Sequence, residues 1–125
     1  MSADAAAGGV PSKEVLRQLK IKTSAVKRLV KERGVDLLDV DKQRARIEAL
    51  RAKEGVDDAD IRKQNEVLEE ALQMIPYTER RIKSAAEELY GIVQAEKEAG
   101  HAAPELDEAD AAVGAARDVV PLSSD

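Results

Sequence analysis

A chain of 125 residues that is 36% charged and 2% aromatic, with neither Phe nor Trp, is long enough for about one domain but lacks the bulky side chains of an α/β core. Its apolar content is Ala, Val, Leu and Ile with two Met, which suits helices packed along narrow seams. The absence of cysteine excludes disulfides and thiolate metal sites and suits a reducing cytosol, while a formal net charge of −5 disfavours nucleic-acid binding through phosphate contacts alone.

The opening stretch is small and rich in Ala and Gly, so residues 1–11 are expected to form a flexible tail, since ordering them would cost entropy without burying apolar surface. It has no basic start and no apolar run, and no segment approaches the ~18 apolar residues that cross a bilayer. The chain therefore reads as cytoplasmic. Pro11 and Ser12 look like a helix start, with the Ser12 hydroxyl available to the first-turn amides and Glu14 favoured at the positive helix end.

From Val15 the apolar positions Leu19, Val26, Val30, Leu37, Val40, Ile47 and Leu50 form a heptad-like stripe. This predicts a first helix from Lys13 to about Lys53, ended by EGVDD at Glu54–Asp58, with Gly55 suited to a left-handed cap and Asp57 or Asp58 capping the next helix. The second helix keeps its phase through Ile61, Asn65, Leu68, Leu72, Ile75, Glu79, Ile82, Ala86, Leu89 and Val93. Because Ile75 and Ile82 stay in phase across Pro76, a kink is expected there rather than a break. Gly100 should close this helix. Pro104 suits the first turn of a shorter third helix with Leu106, Ala109, Val113, Ala116 and Val120 on its apolar face, weakened by Gly114 and stopped by Pro121.

Two helices of similar length joined by a short turn must lie antiparallel. The expected fold is all-α: an antiparallel up-down-up three-helix bundle, its second helix kinked at Pro76 and its third short, forming one domain over residues 12–121 with a C-terminal tail at 122–125. Folding about Gly55 pairs Leu19 with Val93, Val26 with Ala85 or Ala86, Val40 with Leu72, and Ile47 with Gln64 or Asn65. The same register sets Arg33 against Glu79 on the seam, where an unpaired charge is costly, and predicts an ion pair between them. Gly34, opposite Pro76, is expected to let the helices approach closely there.

The sequence holds no Gly-rich phosphate loop, nucleophile elbow or His-Glu zinc motif. No residue is assigned as catalytic, cofactor-binding or metal-ligating, and no cofactor is expected. The single histidine, His101, reads as a solvated linker residue. Carboxylate neighbours such as Glu69 and Glu70, or Glu87 and Glu88, read as solvated faces. Single-stranded nucleic acid is disfavoured because Tyr77 and Tyr90 lie far from the lysines and offer no stacking platform beside them.

Charge is polarised along the chain, basic in the first third and acidic in the last. Lys13, Lys20 and Lys27 recur every seven residues beside the seam, with Arg17 and Lys31 nearby. Like charges four apart cost about 0.2–0.5 kcal/mol per pair, so something should offset this ridge. Internal carboxylates (Glu87, Glu88, Glu96, Glu98 and the start of the third helix) and an acidic partner steered onto the ridge are equally open at this point. A self-associating coiled-coil scaffold, its stripes completed by a second copy of the chain, is the alternative of a different class.

The strings KIKT at Lys20–Thr23, VKRLVKE at Val26–Glu32, IRKQ at Ile61–Gln64, and MIP followed by RRI through Ile82, in this order, resemble the tubulin-binding cofactor A family over roughly Val15–Glu98. The resemblance implies a three-helix bundle without enzymatic activity that captures β-tubulin released from the cytosolic chaperonin and passes it toward αβ-heterodimer assembly. It further implies a cytoplasmic, cytoskeleton-associated protein, monomer or homodimer, with other tubulin-folding cofactors as further partners and no nucleic acid or membrane. Helical surface rather than loops would contact β-tubulin, through the outward positions Lys20, Lys27, Arg28, Lys31, Arg62, Lys63, Arg80 and Arg81. The third helix and the stretch GVDLLDVDK after Arg33 depart from the family pattern.

Overall fold

The computed structural model describes residues 9–123, and among them three helices and no strand: α1 (Lys13–Arg51), α2 (Asp58–Glu98) and α3 (Pro104–Arg117). The all-α expectation holds with boundaries close to those expected. Ser12 caps α1, its Oγ accepting the Val15 amide at 3.2 Å while its carbonyl accepts that of Leu16 at 2.9 Å. Asp57 does the same for α2 through the Ala59 amide at 3.1 Å. Gly55, at φ 78°, takes the left-handed conformation that the turn between α1 and α2 requires.

The end of α2 is a two-bond cap on Gly100, also left-handed at φ 79°. The Gly100 amide donates to Lys97 O at 2.9 Å and the His101 amide to Glu96 O at 3.0 Å, which satisfies carbonyls that the helix leaves open. Pro76 lies inside α2, and the helix continues through it. Pro104 occupies the first turn of α3, behind an Ala103 that supplies no side-chain cap.

The chain divides into two compact units. The first comprises the described residues of Met1–Val30 and Arg80–Asp125 and is a three-helix bundle. Its core joins Leu19, Val26 and Leu29 of α1 to Ile82, Ala86, Leu89 and Val93 of α2 and Leu106, Ala109, Val113 and Ala116 of α3. Burying each of the larger aliphatic side chains contributes about 1.5–3 kcal/mol. Lys97 pairs with Asp110 at 2.9 Å and Arg117 lies over the Tyr90 ring, 4.7 Å from its centre, which sets α3 antiparallel to α2. All five residues expected on the apolar face of α3 are buried.

The second unit, Lys31–Glu79, is an α1–α2 hairpin. Its buried residues are few and mixed: Val40 and Ile47 beside Gln43 and Thr78. The expected Arg33–Glu79 ion pair is present, Nε to Oε2 at 2.8 Å. One turn on, Thr78 donates its hydroxyl to Asp36 at 2.7 Å. Nearer the turn, Gln43 donates to the Gln64 backbone oxygen at 2.8 Å and to its side-chain oxygen at 3.0 Å, so Gln64, one of the two residues expected opposite Ile47, also bonds one turn earlier on α1.

Four expectations are corrected. Leu37 is 39% exposed, because Arg33 and Asp36 take the seam between Val30 and Val40 and their partners on α2 hold them there. Gly34 does not permit close approach: a Cβ built on it meets nothing within 4 Å. Leu122, assigned to a C-terminal tail, is buried in the three-helix core, and the following Ser123 amide donates to Glu87. The expected N-terminal tail lies outside the described residues at 1–8, but Pro11 is buried and Gly9 O accepts the Ala102 amide at 3.0 Å.

Candidate functional surface

Each of the eight basic residues expected to contact a partner is solvent-exposed, and they fall into groups. Lys20, Lys27, Arg28, Arg80 and Arg81 belong to the three-helix unit, whereas Lys31, Arg62 and Lys63 belong to the hairpin unit. Within the three-helix unit, Lys20 and Lys27 line one recess together with Glu105 and Glu108 at the start of α3. This part of the ridge therefore faces carboxylates of the chain itself. Thr23 is buried in the wall of the same recess, its hydroxyl without a protein partner.

Arg28 and Arg81 form a different site. They approach from α1 and α2 across an open groove whose walls include Ile21, Ala25 and Leu29 on one helix and Ala85 on the other. The helical period explains the first wall, because steps of four from Ile21 through Ala25 to Leu29 stay on one face. Small residues on both sides, Ala25 with Ser84 and Ala85, keep the groove open, and the Lys22–Glu88 ion pair spans it. Ile21 is 63% exposed, a large apolar side chain held in water at the edge of a cationic groove.

Three cations (Lys22, Arg28, Arg81) against one carboxylate (Glu88) make this lining net positive. Sequence reasoning had found Arg28 and Arg81 but not Ile21, whose signal was present: it stands two positions after the seam residue Leu19, off the stripe and between two lysines. Such a groove can hold a segment that offers apolar side chains to its floor and carboxylates to its rim, with guanidinium groups able to grip a carboxylate through two bonds. Among the described residues no group of His, Cys, Asp or Glu could hold a metal ion, and no helix is long and apolar enough to cross a membrane.

His101 is half-buried, its Nδ1 2.7 Å from Glu96 Oε1, so it belongs to the α2–α3 joint rather than to open solvent. Nine residues before Glu96 on α2, the Glu87 carboxyl is held below its ordinary value by the Ser123 backbone amide first, then by the Ser123 side chain and Lys83.

Residues 14–113 match the model of a family described as tubulin binding cofactor A. Tubulin-specific chaperone A from Oryctolagus cuniculus is 43% identical over 83 residues, 66% of this chain and 76% of that protein. The crystal structure of tubulin folding cofactor A from Arabidopsis thaliana superposes with a TM-score of 0.77 at 31% identity, covering 86% of this chain and 99% of that one. Human tubulin chaperone cofactor A gives 0.67 at 39% identity, with 82% and 98% covered. The chain belongs to the tubulin binding cofactor A family.

Proposed function

We propose, from that membership, that the chain is a non-enzymatic tubulin-folding cofactor of the cytoplasm. It captures β-tubulin intermediates released from the cytosolic chaperonin and delivers them toward αβ-heterodimer assembly. The observation that carries the reading to a surface is that Arg28 and Arg81, from two helices, line one groove together with the exposed Ile21. A client not yet joined to its partner subunit exposes apolar surface, and a groove that pairs apolar floor with cationic rim holds such surface while charge steers the encounter. Hand-over then requires only that the final partner cover the same surface more completely, since the groove is open and its contacts are reversible.

The test is retention from a cell extract by the immobilised full chain. Wild type is expected to keep β-tubulin and not α-tubulin, and Arg28→Glu with Arg81→Glu to lose most of it while circular dichroism stays helical. Added salt should weaken retention by the wild type. Retention of neither tubulin by wild type would end the capture reading; equal retention by the charge-reversed chain would move the contact elsewhere on the helices.

A further inference from the structure

The hairpin unit carries a second surface that this groove leaves unused. On α2, Val67 and Met74 are 41% and 45% exposed, and with Ala71 between them they form a stripe at steps of four and three on one helix face. All three line one wall of an open groove; Asp39, Lys42 and Arg46 of α1 line the other. Its base is fixed by Gln43, which is buried, bonded to Gln64, and itself accepts Arg46 Nη1 at 3.2 Å.

The three-helix unit shows what these helices do with a partner of the right pattern. There Leu106, Ala109, Val113 and Ala116 of α3, at steps of three, four and three, are buried against α1 and α2. Among the described residues no third helix belongs to the Lys31–Glu79 unit, so its stripe stays in water. The charges flanking it are ordered: the α1 wall has two cations against Asp39, and the α2 wall carries Glu70 beside the stripe. A helix with an acidic edge toward Lys42 and Arg46 is attracted in that orientation and repelled in the reverse.

We propose that this groove docks an amphipathic helix of the captured client, with apolar residues at i, i+4 and i+7 on Val67, Ala71 and Met74 and carboxylates facing Lys42 and Arg46. The source of the helix rests on the capture reading; the chemistry of the groove does not. Two contacts made by one client would each contribute avidity to the other.

Two measurements on the full chain decide it. In the first, a fluorescent synthetic helix with Leu at i, i+4 and i+7 and Glu along one edge is titrated with the chain and followed by anisotropy. Binding should weaken about tenfold or more with Val67→Glu plus Met74→Glu, and likewise when the peptide's Glu edge is replaced by Lys. Both substituted side chains are exposed, and unchanged circular dichroism confirms that the variant folds. No binding, equal binding by the variant, or mass doubling of the wild type that the variant abolishes, which would make a second copy the occupant, overturns the proposal. In the second, β-tubulin retention by the same variant should fall several-fold. If wild type retains β-tubulin and the variant retains as much, the client is not the occupant; if wild type retains none, the capture reading itself has failed, and the peptide titration separately judges the groove.

Discussion

Between Lys31 and Glu79 the two long helices meet through Arg33–Glu79, Asp36–Thr78 and Gln43–Gln64, whereas the three-helix unit closes over an aliphatic core that includes fully buried Leu19, Ile82, Leu89 and Val93. The two units are built from the same two helices, so the difference is one of side chains and of the third helix, not of backbone type. Apolar burial supplies most folding free energy, while a buried polar pair returns little beyond the cost of desolvating it. The three-helix unit is therefore the stabilising half. The hairpin unit spends its seam on specificity of register and leaves Val35, Leu38, Val67 and Met74 exposed, apolar surface available to something other than its own core.

The sharpest way to break this comparison is to cut one side chain from each unit. Leu89→Ala removes a fully buried side chain of the three-helix core and should cost about 3 kcal/mol. Ile47→Val, in the hairpin unit, should cost about 1 kcal/mol. Urea melts followed by circular dichroism measure both. Loss from Leu89→Ala no larger than from Ile47→Val would show that the apolar core is not where stability resides.

A second experiment asks whether the polar seam is needed for stability or for register. The side chains of Arg33 and Glu79 are 23% and 32% exposed, so removing one partner, as in Glu79→Ala, should cost about 1–2 kcal/mol, between the surface and buried limits. Arg33→Met combined with Glu79→Leu should restore most of that loss by making the hairpin seam resemble the other unit's. A double variant as unstable as the single one would assign the pair a net stabilising role that the physical argument denies it.

Much of this difference was legible in the sequence. The phase of α2 from Ile61 to Val93 located its buried face, and the same register placed Arg33 against Glu79 because both fall where an apolar residue would otherwise stand. What escaped was the behaviour of polar residues at seam positions. A heptad template admits Leu37 and has no place for Asp36 or Gln43, since it scores burial by hydrophobicity and cannot see that Thr78 or Gln64 waits across the interface. Ile21 escaped for the converse reason: an apolar residue off the stripe predicts nothing until a second helix shows what lies beside it. Gly9–Pro11 and Leu122 escaped because such short segments have no period to read, and their order comes from contacts with distant residues.

A smaller effect, confined to the three-helix unit, concerns the buried Thr23 hydroxyl that finds no protein partner. Replacing it by Val keeps the shape and removes the polar atom, so Thr23→Val should raise stability by about 1 kcal/mol. A melt that falls instead would mean that the hydroxyl is bonded in solution and contributes to the fold of the recess beside Lys20 and Lys27.

The weakest expected effect tests how the rim of the same unit is fastened. Glu87 accepts the Ser123 amide next to the buried Leu122, and that bond, the largest cause of the shift, lowers its carboxyl below the ordinary 4.5. Because the folded value is the lower one, the ionised form favours the docked segment. Its contribution is complete above the unfolded value and is lost as pH falls through the folded one. Protection of the Ser123 amide, its exchange rate taken relative to the intrinsic rate at each pH, should therefore fall across the acid side of the carboxylate range while Leu89 in the core stays protected. Glu87→Gln should remove that titration and leave the segment loosened at every pH. If Ser123 protection shows no pH step in the wild type, the segment is held by the burial of Leu122 alone, and the apolar core extends its hold to the chain's last described turn without electrostatic help.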